Sequence, residues 1–158
     1  MKMTSPDMQA IREQVSSALI EDLGGELNAS NDITANLIDD NVQAKATVIT
    51  RESCVVCGVA WVNQAFALID ETVALQWHVE DGDSVASDTV LLTLEGSAKA
   101  ILTAERTALN FLQTLSGTAT LAKFYSDLIS HTKATILDTR KTIPGLRRAQ
   151  KYAVTCGG

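Results

Sequence analysis

Apolar residues near the start of the chain recur at the spacing of an α-helix. Ser5 is expected to cap this helix, Pro6 suits its first turn, and the glycines at 24–25 end it. The buried face of the predicted helix consists of Met8, Ile11, Val15, Ala18 and Leu19. The polar stretch that follows, over residues 26–41, predicts a loop with a short ordered turn.

The middle of the chain alternates between strand patterns and turns around a single helix. Residues 44–53 are β-branched and half polar, which predicts a strand, and residues 58–69 have the length and alanine content of a buried helix. Residues 73–102 alternate strand and turn, with turns expected at 81–83 and 95–96. This order indicates an antiparallel β region that carries one helix.

The last part of the chain predicts three helices and one short strand. A helix runs through 104–116 and is broken at Gly117. A second helix follows, with an apolar face formed by Leu121, Phe124, Tyr125, Leu128 and Ile129. The apolar segment 134–137 is predicted to be a strand, and 144–154 a helix opened by Pro144. Such a strand-loop-helix unit is typical of the opening of a parallel α/β structure. Because this unit follows an antiparallel β region and separate helices, the expected fold class of the chain is α+β.

Positive charge is concentrated in the second part of the chain. The 158 residues are 46% hydrophobic, which predicts a buried core, and carry a formal net charge of −6. Residues 1–98 hold 16 acids and 4 bases, whereas residues 99–158 hold 3 acids and 9 bases. We therefore expect the second part to bind anions, the alternative being a solvated surface on which charges cluster by chance.

The N-terminus and the apolar runs indicate where the protein is found. No apolar run reaches the length that crosses a bilayer, and the N-terminus has a lone lysine without an apolar stretch. These features predict a soluble, cytoplasmic protein with no signal peptide and no membrane partner.

Cys54 and Cys57 have the spacing of metal and redox motifs. A zinc site needs two more ligands, and the candidates Cys156, His78 and His131 are not suitably paired in the sequence. The two cysteines also lie among valines rather than in a polar setting. The expectation is buried structural thiols, structural histidines and no metal site in these residues.

Arg106 is a candidate binding residue because of its predicted position. It falls in the first turn of the predicted helix 104–116, where the helix dipole disfavours a cation by roughly 0.3–1 kcal/mol. Proteins tend to break such local preferences where function requires it. A surface arginine paired to Glu105 or to another chain is the structural alternative.

The segment 138–142 carries the main chemical signal. Thr139, Arg140 and Lys141 follow directly after the predicted strand, and groups at that end of a strand face the ligand in α/β folds. Arg140 offers a planar fork for a carboxylate or phosphate, and Lys141 offers a point charge. Nucleic acid is the weaker alternative, because the rest of the chain is acidic and few aromatics interleave with the bases.

Residues 79–100 are similar to half of a biotinyl or lipoyl carrier domain, with Lys99 as a conceivable attachment site. The neighbours that such domains present before the lysine are missing. The similarity therefore bears on shape more than on a carrier function.

Two long motifs are specific enough to identify a family. The stretches "TAERTALNFLQTLSGTAT" and "ILDTRKTIPGLRRAQKYAVTCGG" closely resemble the quinolinate phosphoribosyltransferases, and "EDLGGELNASNDIT" fits the same family. The resemblance implies an N-terminal open α/β sandwich followed by an α/β barrel. Residues 1–116, including helix 104–116, would form the sandwich domain. Residues 117–158 would form a linking helix and the incomplete start of the barrel.

The resemblance also implies an activity and a set of binding residues. Family members convert quinolinate and phosphoribosyl pyrophosphate to nicotinate mononucleotide, pyrophosphate and CO2 in NAD biosynthesis, use Mg²⁺, and work as dimers or assemblies of dimers. Arg106 matches the arginine that reaches the quinolinate site of the partner subunit. Thr139, Arg140 and Lys141 match the substrate-binding stretch after the first barrel strand.

Parts of the family pattern are not found in these residues. The family continues with an Asn-His-Arg motif, a further lysine and acids that handle the ribose and the metal, so the Mg²⁺ ligands are expected outside residues 1–158 and these residues alone are expected to be inactive. A nicotinate phosphoribosyltransferase, which does not decarboxylate, is the nearest alternative enzyme.

Overall fold

The first helix, α1, spans Met8–Asp22 in the computed structural model, which describes residues 7–158. Asp7 caps it by accepting a hydrogen bond from the N–H of Ala10 at 3.2 Å, while the predicted capping by Ser5 and Pro6 falls outside the described residues. Three of the predicted apolar residues are buried, namely Ile11, Val15 and Leu19. Met8 is exposed, contrary to the prediction, because it lies in the first turn beyond the packed face.

Five strands form two antiparallel sheets in the described part of the chain. They are β1 (Gln43–Ile49), β2 (Cys54–Val55), β3 (Ala74–Trp77), β4 (Ser84–Val85) and β5 (Val90–Ser97). The larger sheet has the order β1-β5-β3, and β2 pairs with β4. Short 3-10 turns at Ala29–Asn31 and Ala35–Leu37 provide the order in the polar stretch before β1.

The turn predicted at 95–96 does not exist, because β5 continues through both residues. Glu95 pairs with Lys45 on one side and with Ala74 on the other. A Cβ atom on Gly96 would lie 3.0 Å from Cα of Val73. The glycine therefore allows a close approach of two backbones within a strand.

Helix α2 (Val59–Ile69) is the predicted buried helix; it packs on α1 and on the helix that follows β5, and it buries Trp61, Val62, Ala65 and Phe66. Its N-cap residue is Gly58, whose φ of 126° is a conformation that favours glycine. A Cβ atom at Gly58 would lie 3.3 Å from Cα of Leu112. The start of α2 is thus in near-contact with the backbone of the next helix.

The two helices predicted around Gly117 are one helix, α3, which spans 32 residues, Ala98–Ile129. Ser97 caps it, and it has no break at Gly117. A glycine costs about 1 kcal/mol relative to alanine in a helix interior, which burial of the neighbouring Leu115, Ser116 and Ala119 outweighs. The prediction of a break was wrong because tertiary packing overrides a single unfavourable residue.

The segment 134–137 is not a strand. No described strand pairs with it, and Leu137 is 81% exposed. An apolar, β-branched run forms a strand only where a neighbouring strand can accept its hydrogen bonds. Pro144 also does not open the following helix, α4 (Arg147–Gly157), because residues 144–145 form a turn before it.

Helix α4 packs on the second half of α3 through small residues. Ala149, Ala153 and Gly157 recur every four residues on its buried face. A Cβ atom at Gly157 would lie 2.2 Å from the carbonyl oxygen of Ala119, so only glycine fits between the helices there. This contact holds the last described helix against the helix that also covers the sandwich.

Substitution by alanine at two glycines tests this packing. Gly117→Ala should raise the free energy of unfolding by about 0.5–1 kcal/mol, because the helical site has no neighbouring atom within 4 Å. Gly58→Ala should lower it by about 1–3 kcal/mol, because alanine there is strained and meets Leu112. Urea unfolding followed by circular dichroism measures both. A loss of stability in Gly117→Ala would contradict the continuous helix.

Candidate functional site

Arg106 lies on the exposed side of α3, eight residues after its first residue, Ala98. The predicted position in the first turn was wrong, and the argument from the helix dipole fails with it, since that effect decays within one turn. Nη1 of Arg106 donates to Oδ1 of Asp22 at 2.9 Å, and the side chain is 72% exposed. The hydrogen bond to Asp22 and the charge of that carboxylate raise the pKa of Arg106.

Thr139, Arg140 and Lys141 lie in an exposed loop between α3 and α4. Oγ1 of Thr139 accepts a hydrogen bond from the backbone N–H of Lys141 at 3.1 Å, which gives the segment a local turn. Within residues 7–158, neither Arg140 nor Lys141 forms an ion pair. Two adjacent cations are therefore presented to solvent.

Both ends of this loop are attached to the folded chain. Before the cations, Oδ2 of Asp138 binds Nζ of Lys151 on α4 at 2.5 Å. After them, the N–H of Ile143 donates to Oε1 of Gln150 at 2.8 Å. Arg140 and Lys141 thus lie between two residues, Asp138 and Ile143, that are both bonded to side chains of α4.

A chain of hydrogen bonds connects the same region to the sandwich. Nε1 of Trp61 donates to Oε1 of Gln14 at 2.9 Å, and Nε2 of Gln14 donates to the carbonyl oxygen of Gly145 at 2.9 Å. The side-chain amide of Gln14 bonds to both partners at once. It therefore connects α1, which carries it, to α2 and to the turn before α4. The sequence patterns carried no signal for this contact between residues 131 positions apart.

Asp81 forms a second connection that sequence reasoning missed. Its Oδ1 accepts from the N–H groups of Gly58 and Val59 at 2.7 and 3.0 Å, and its Oδ2 accepts from the hydroxyl of Tyr152 at 2.9 Å. Burial and the carboxylate of Asp81 raise the pKa of Tyr152. The turn at 81–83 was predicted, but its role as a cap for α2 and an anchor for α4 depends on tertiary contacts.

The structure does not bring the predicted site residues together. Arg106 contacts the end of α1, whereas Thr139, Arg140 and Lys141 belong to the loop beside α4. No hydrogen bond or ion pair between these two groups is found in the described part of the chain. Each group is exposed and available for contact with something outside these residues.

Lys99 is not placed as the lysine of a carrier domain would be. It lies in the first turn of α3, and its Nζ contacts Oδ1 of Asp40 at 2.6 Å. The hydrogen bond from Lys99 and its charge lower the pKa of Asp40. An attachment lysine must project from an exposed hairpin turn, so this position does not favour the carrier alternative.

The predicted structural residues have the following surroundings. His78 follows β3 directly, and its Nε2 lies 2.9 Å from Oγ1 of Thr93. His131 is exposed just after α3. Cys57 is buried as predicted, whereas Cys54, also predicted to be buried, is half-buried. Cys156 meets Cys57 in the core, a contact that the sequence spacing did not indicate.

A metal site is not found in the described residues. No group of three or more His, Cys, Asp or Glu side chains within residues 7–158 could hold a metal ion. The described residues therefore supply no complete ligand set for Mg²⁺ by themselves. Within the same residues, no helix combines the length and the apolar character needed to cross a bilayer.

Comparison with known proteins places the chain in one family. The family model described as "Quinolinate phosphoribosyl transferase, N-terminal domain" matches residues 32–116, and the model of the C-terminal domain matches residues 118–158. The boundary between the two models falls inside α3.

Relatives and solved structures agree with this match. The nicotinate-nucleotide pyrophosphorylase (carboxylating) of Mycobacterium leprae is 38% identical over 157 residues, covering 96% of this chain and 53% of the relative. The probable enzyme of the same name from Bacillus subtilis is 34% identical, covering 94% of this chain and 50% of the relative. The chain thus spans about half the length of these relatives.

The fold is likewise that of solved relatives. The nicotinate-nucleotide pyrophosphorylase from Francisella tularensis matches with a TM-score of 0.92 and 40% identity, over 100% of this chain and 54% of that one. NadC from Streptococcus pyogenes matches with a TM-score of 0.90 and 36% identity, over 98% of this chain and 54% of that one. The chain belongs to the quinolinate phosphoribosyltransferase family.

Proposed function

We propose that the whole protein transfers the phosphoribosyl group of phosphoribosyl pyrophosphate to quinolinate with decarboxylation, giving nicotinate mononucleotide, pyrophosphate and CO2. The observation that carries the proposal is the family match combined with the exposed cations Arg140 and Lys141 on an anchored loop. Both substrates are anions, so a site for them needs several cations held in place.

The ion pairs of the described chain support the assignment of Arg140 and Lys141. Arg148 pairs with Asp7, Lys151 with Asp138, and Lys123 with Asp127. These three cations are engaged in holding the fold, whereas Arg140 and Lys141 are not. A planar guanidinium suits the two oxygens of a quinolinate carboxylate, and the ammonium of Lys141 suits a phosphate as a point charge.

The chemistry requires charge and position rather than a nucleophilic side chain. Departure of pyrophosphate leaves positive charge on the ribose, and loss of CO2 leaves electron density on the ring carbon. Arg140 and Lys141 would orient the two anions and balance their charge before bond breaking. Use of Mg²⁺ is proposed on the family resemblance alone. A cytoplasmic location is proposed from the sequence pattern, although some plant relatives are named mitochondrial or chloroplastic.

We further propose that the site is shared between two subunits. Within residues 7–158, Arg106 and the loop 139–141 form no hydrogen bond or ion pair with each other, yet the family resemblance assigns both to substrate binding. Only one N–H of Arg106 is engaged by Asp22, which leaves other donors for a carboxylate of a ligand on a partner subunit. A homodimer would supply both groups to one site.

Substrate choice tests the proposed reaction. The whole protein, supplied with quinolinate, phosphoribosyl pyrophosphate and Mg²⁺, should release pyrophosphate and CO2 in equal amounts, and nicotinate should not replace quinolinate. Residues 1–158 alone should show no turnover, because their cations lie on an open loop that excludes no water. Pyrophosphate release with nicotinate and no CO2 would instead support the nicotinate enzyme.

Arg106→Ala tests the role of the arginine. The affinity of the whole protein for quinolinate should fall by roughly ten- to a hundredfold, the effect of one charged hydrogen bond, with little change for phosphoribosyl pyrophosphate. Arg12→Ala is the matched control, because Arg12 is an exposed arginine on α1. Calorimetric titration gives both affinities, and unchanged quinolinate binding in Arg106→Ala would rule out the role.

Mixing two impaired variants at a low quinolinate concentration tests the shared site. If Arg106 completes the site of its partner, dimers that combine an Arg106→Ala subunit with an Arg140→Ala subunit contain one intact site. Random assembly after co-expression should then restore about a quarter of the wild-type activity. A site built within one subunit would never be intact in such mixtures, and the activity would stay at the level of the separate variants.

A further inference from the structure

The core contains a pair of thiols that come from distant parts of the sequence. Sγ of Cys57 lies 3.7 Å from Sγ of Cys156, although the residues are 99 positions apart. Cys57 lies two residues before the first residue of α2, and Cys156 lies in the last turn of α4. Cys57 is fully buried and Cys156 is 9% exposed, so one side of the pair approaches the surface.

The backbone around both sulfur atoms is held in place. The N–H of Cys57 donates to Oγ of Ser116 at 3.0 Å, and Oγ of Ser116 donates back to the carbonyl oxygen of Cys57 at 3.2 Å. On the other side, Gly157 is packed against the backbone of α3. A disulfide has a bond length of about 2.05 Å, so the sulfurs must approach by under ~2 Å, a movement within reach of side-chain rotation.

The two thiols differ in acidity because of their contact. The S–H of Cys57 donates to the sulfur of Cys156, which raises the pKa of Cys57 and lowers the pKa of Cys156. Burial and the carboxylate of Asp81 also raise the pKa of Cys57, and the same two influences oppose the lowering of the pKa of Cys156 without outweighing the contact with Cys57. Cys156 is therefore the thiol that ionises first, and the thiolate is the reactive form.

We propose that Cys57 and Cys156 form a reversible intramolecular disulfide on reaction with hydrogen peroxide. The thiolate of Cys156 attacks one peroxide oxygen, the O–O bond breaks, and the hydroxide that leaves takes up a proton to become water. The sulfur of Cys57 then attacks the sulfenic acid on Cys156, the S–O bond breaks, and a second water leaves with the proton of Cys57. Two thiols are oxidised, and one peroxide is reduced to two waters.

The bond would join the start of α2 to the end of α4. In a reducing compartment such disulfides are transient, so the reduced pair is the resting form and oxidation is the signal. The bond would restrict the movement of α4 relative to the sandwich and hence of the loop 138–146 that is anchored to it.

Peptide mapping tests the proposal on the purified chain. The chain is treated with hydrogen peroxide, unfolded, alkylated and digested without reductant, and mass spectrometry identifies linked peptides. The wild type and Cys54→Ser should both yield the Cys57–Cys156 linked pair, and dithiothreitol should remove it. Cys54 is the matched control, because it is the third cysteine and lies 3.6 Å from Oγ1 of Thr50 rather than at the pair.

Single substitutions test the order of the steps. In the presence of dimedone, Cys57→Ser should accumulate a sulfenic-acid adduct on Cys156, whereas Cys156→Ser should not form one on Cys57. The proposal is overturned if peroxide-treated Cys54→Ser still has both Cys57 and Cys156 available for complete alkylation. It is also overturned if Cys57 of the wild type is linked to Cys54. Because wild type and Cys54→Ser leave the pair intact, a folding defect in the other variants does not affect this outcome.

Discussion

Burial of helix α3 along most of its length is the constraint on which both halves of the structure depend. The first half of the helix packs on α2 and the sheet, and the second half packs on α4. Since the helix is continuous through Gly117, these two contacts have a fixed relative rotation and distance. The loop that carries Thr139, Arg140 and Lys141 leaves the end of this helix and returns to α4, so its position follows from the same packing.

Polar contacts between distant segments complete this arrangement. Asp81 caps α2 and binds Tyr152, while Gln14 links Trp61 to the turn before α4. Each uses one side chain to satisfy groups from two elements, so loss of one partner leaves another unsatisfied. The sandwich and α4 are therefore coupled by packing and by hydrogen bonds, in the same region that contains the Cys57–Cys156 pair.

The uneven charge along the chain has two separate consequences. Among residues 7–158, three ion pairs join acids of the first part to bases of the second, namely Asp7 to Arg148, Asp22 to Arg106 and Asp40 to Lys99. Such exposed pairs contribute little stability. They do engage cations that would all be counted as possible ligand-binding residues if only the net charge were considered. Among the described residues, Arg140 and Lys141 form no ion pair, and the proposed anion site uses both of them together with Arg106, which is paired with Asp22. Charge composition thus indicated an anion-binding half, and the fold selects which residues carry it.

The sequence by itself determined the element types of the sandwich, the family, and the residues whose chemistry suits an anion. These depend on local periodicity, on turn residues such as those at 81–83, and on long motifs around Arg106 and Arg140. Tertiary structure decided where local preference and packing disagree. Gly117 stays helical because its neighbours on α3 are buried. Gly96 lies within β5, where the missing side chain lets the backbone of Val73 approach closely. Residues 134–137 form no strand because no described strand pairs with them. It also decided every contact between distant residues, including Arg106 with Asp22 and Cys57 with Cys156, because such contacts depend on how elements pack and leave no periodic trace in the chain.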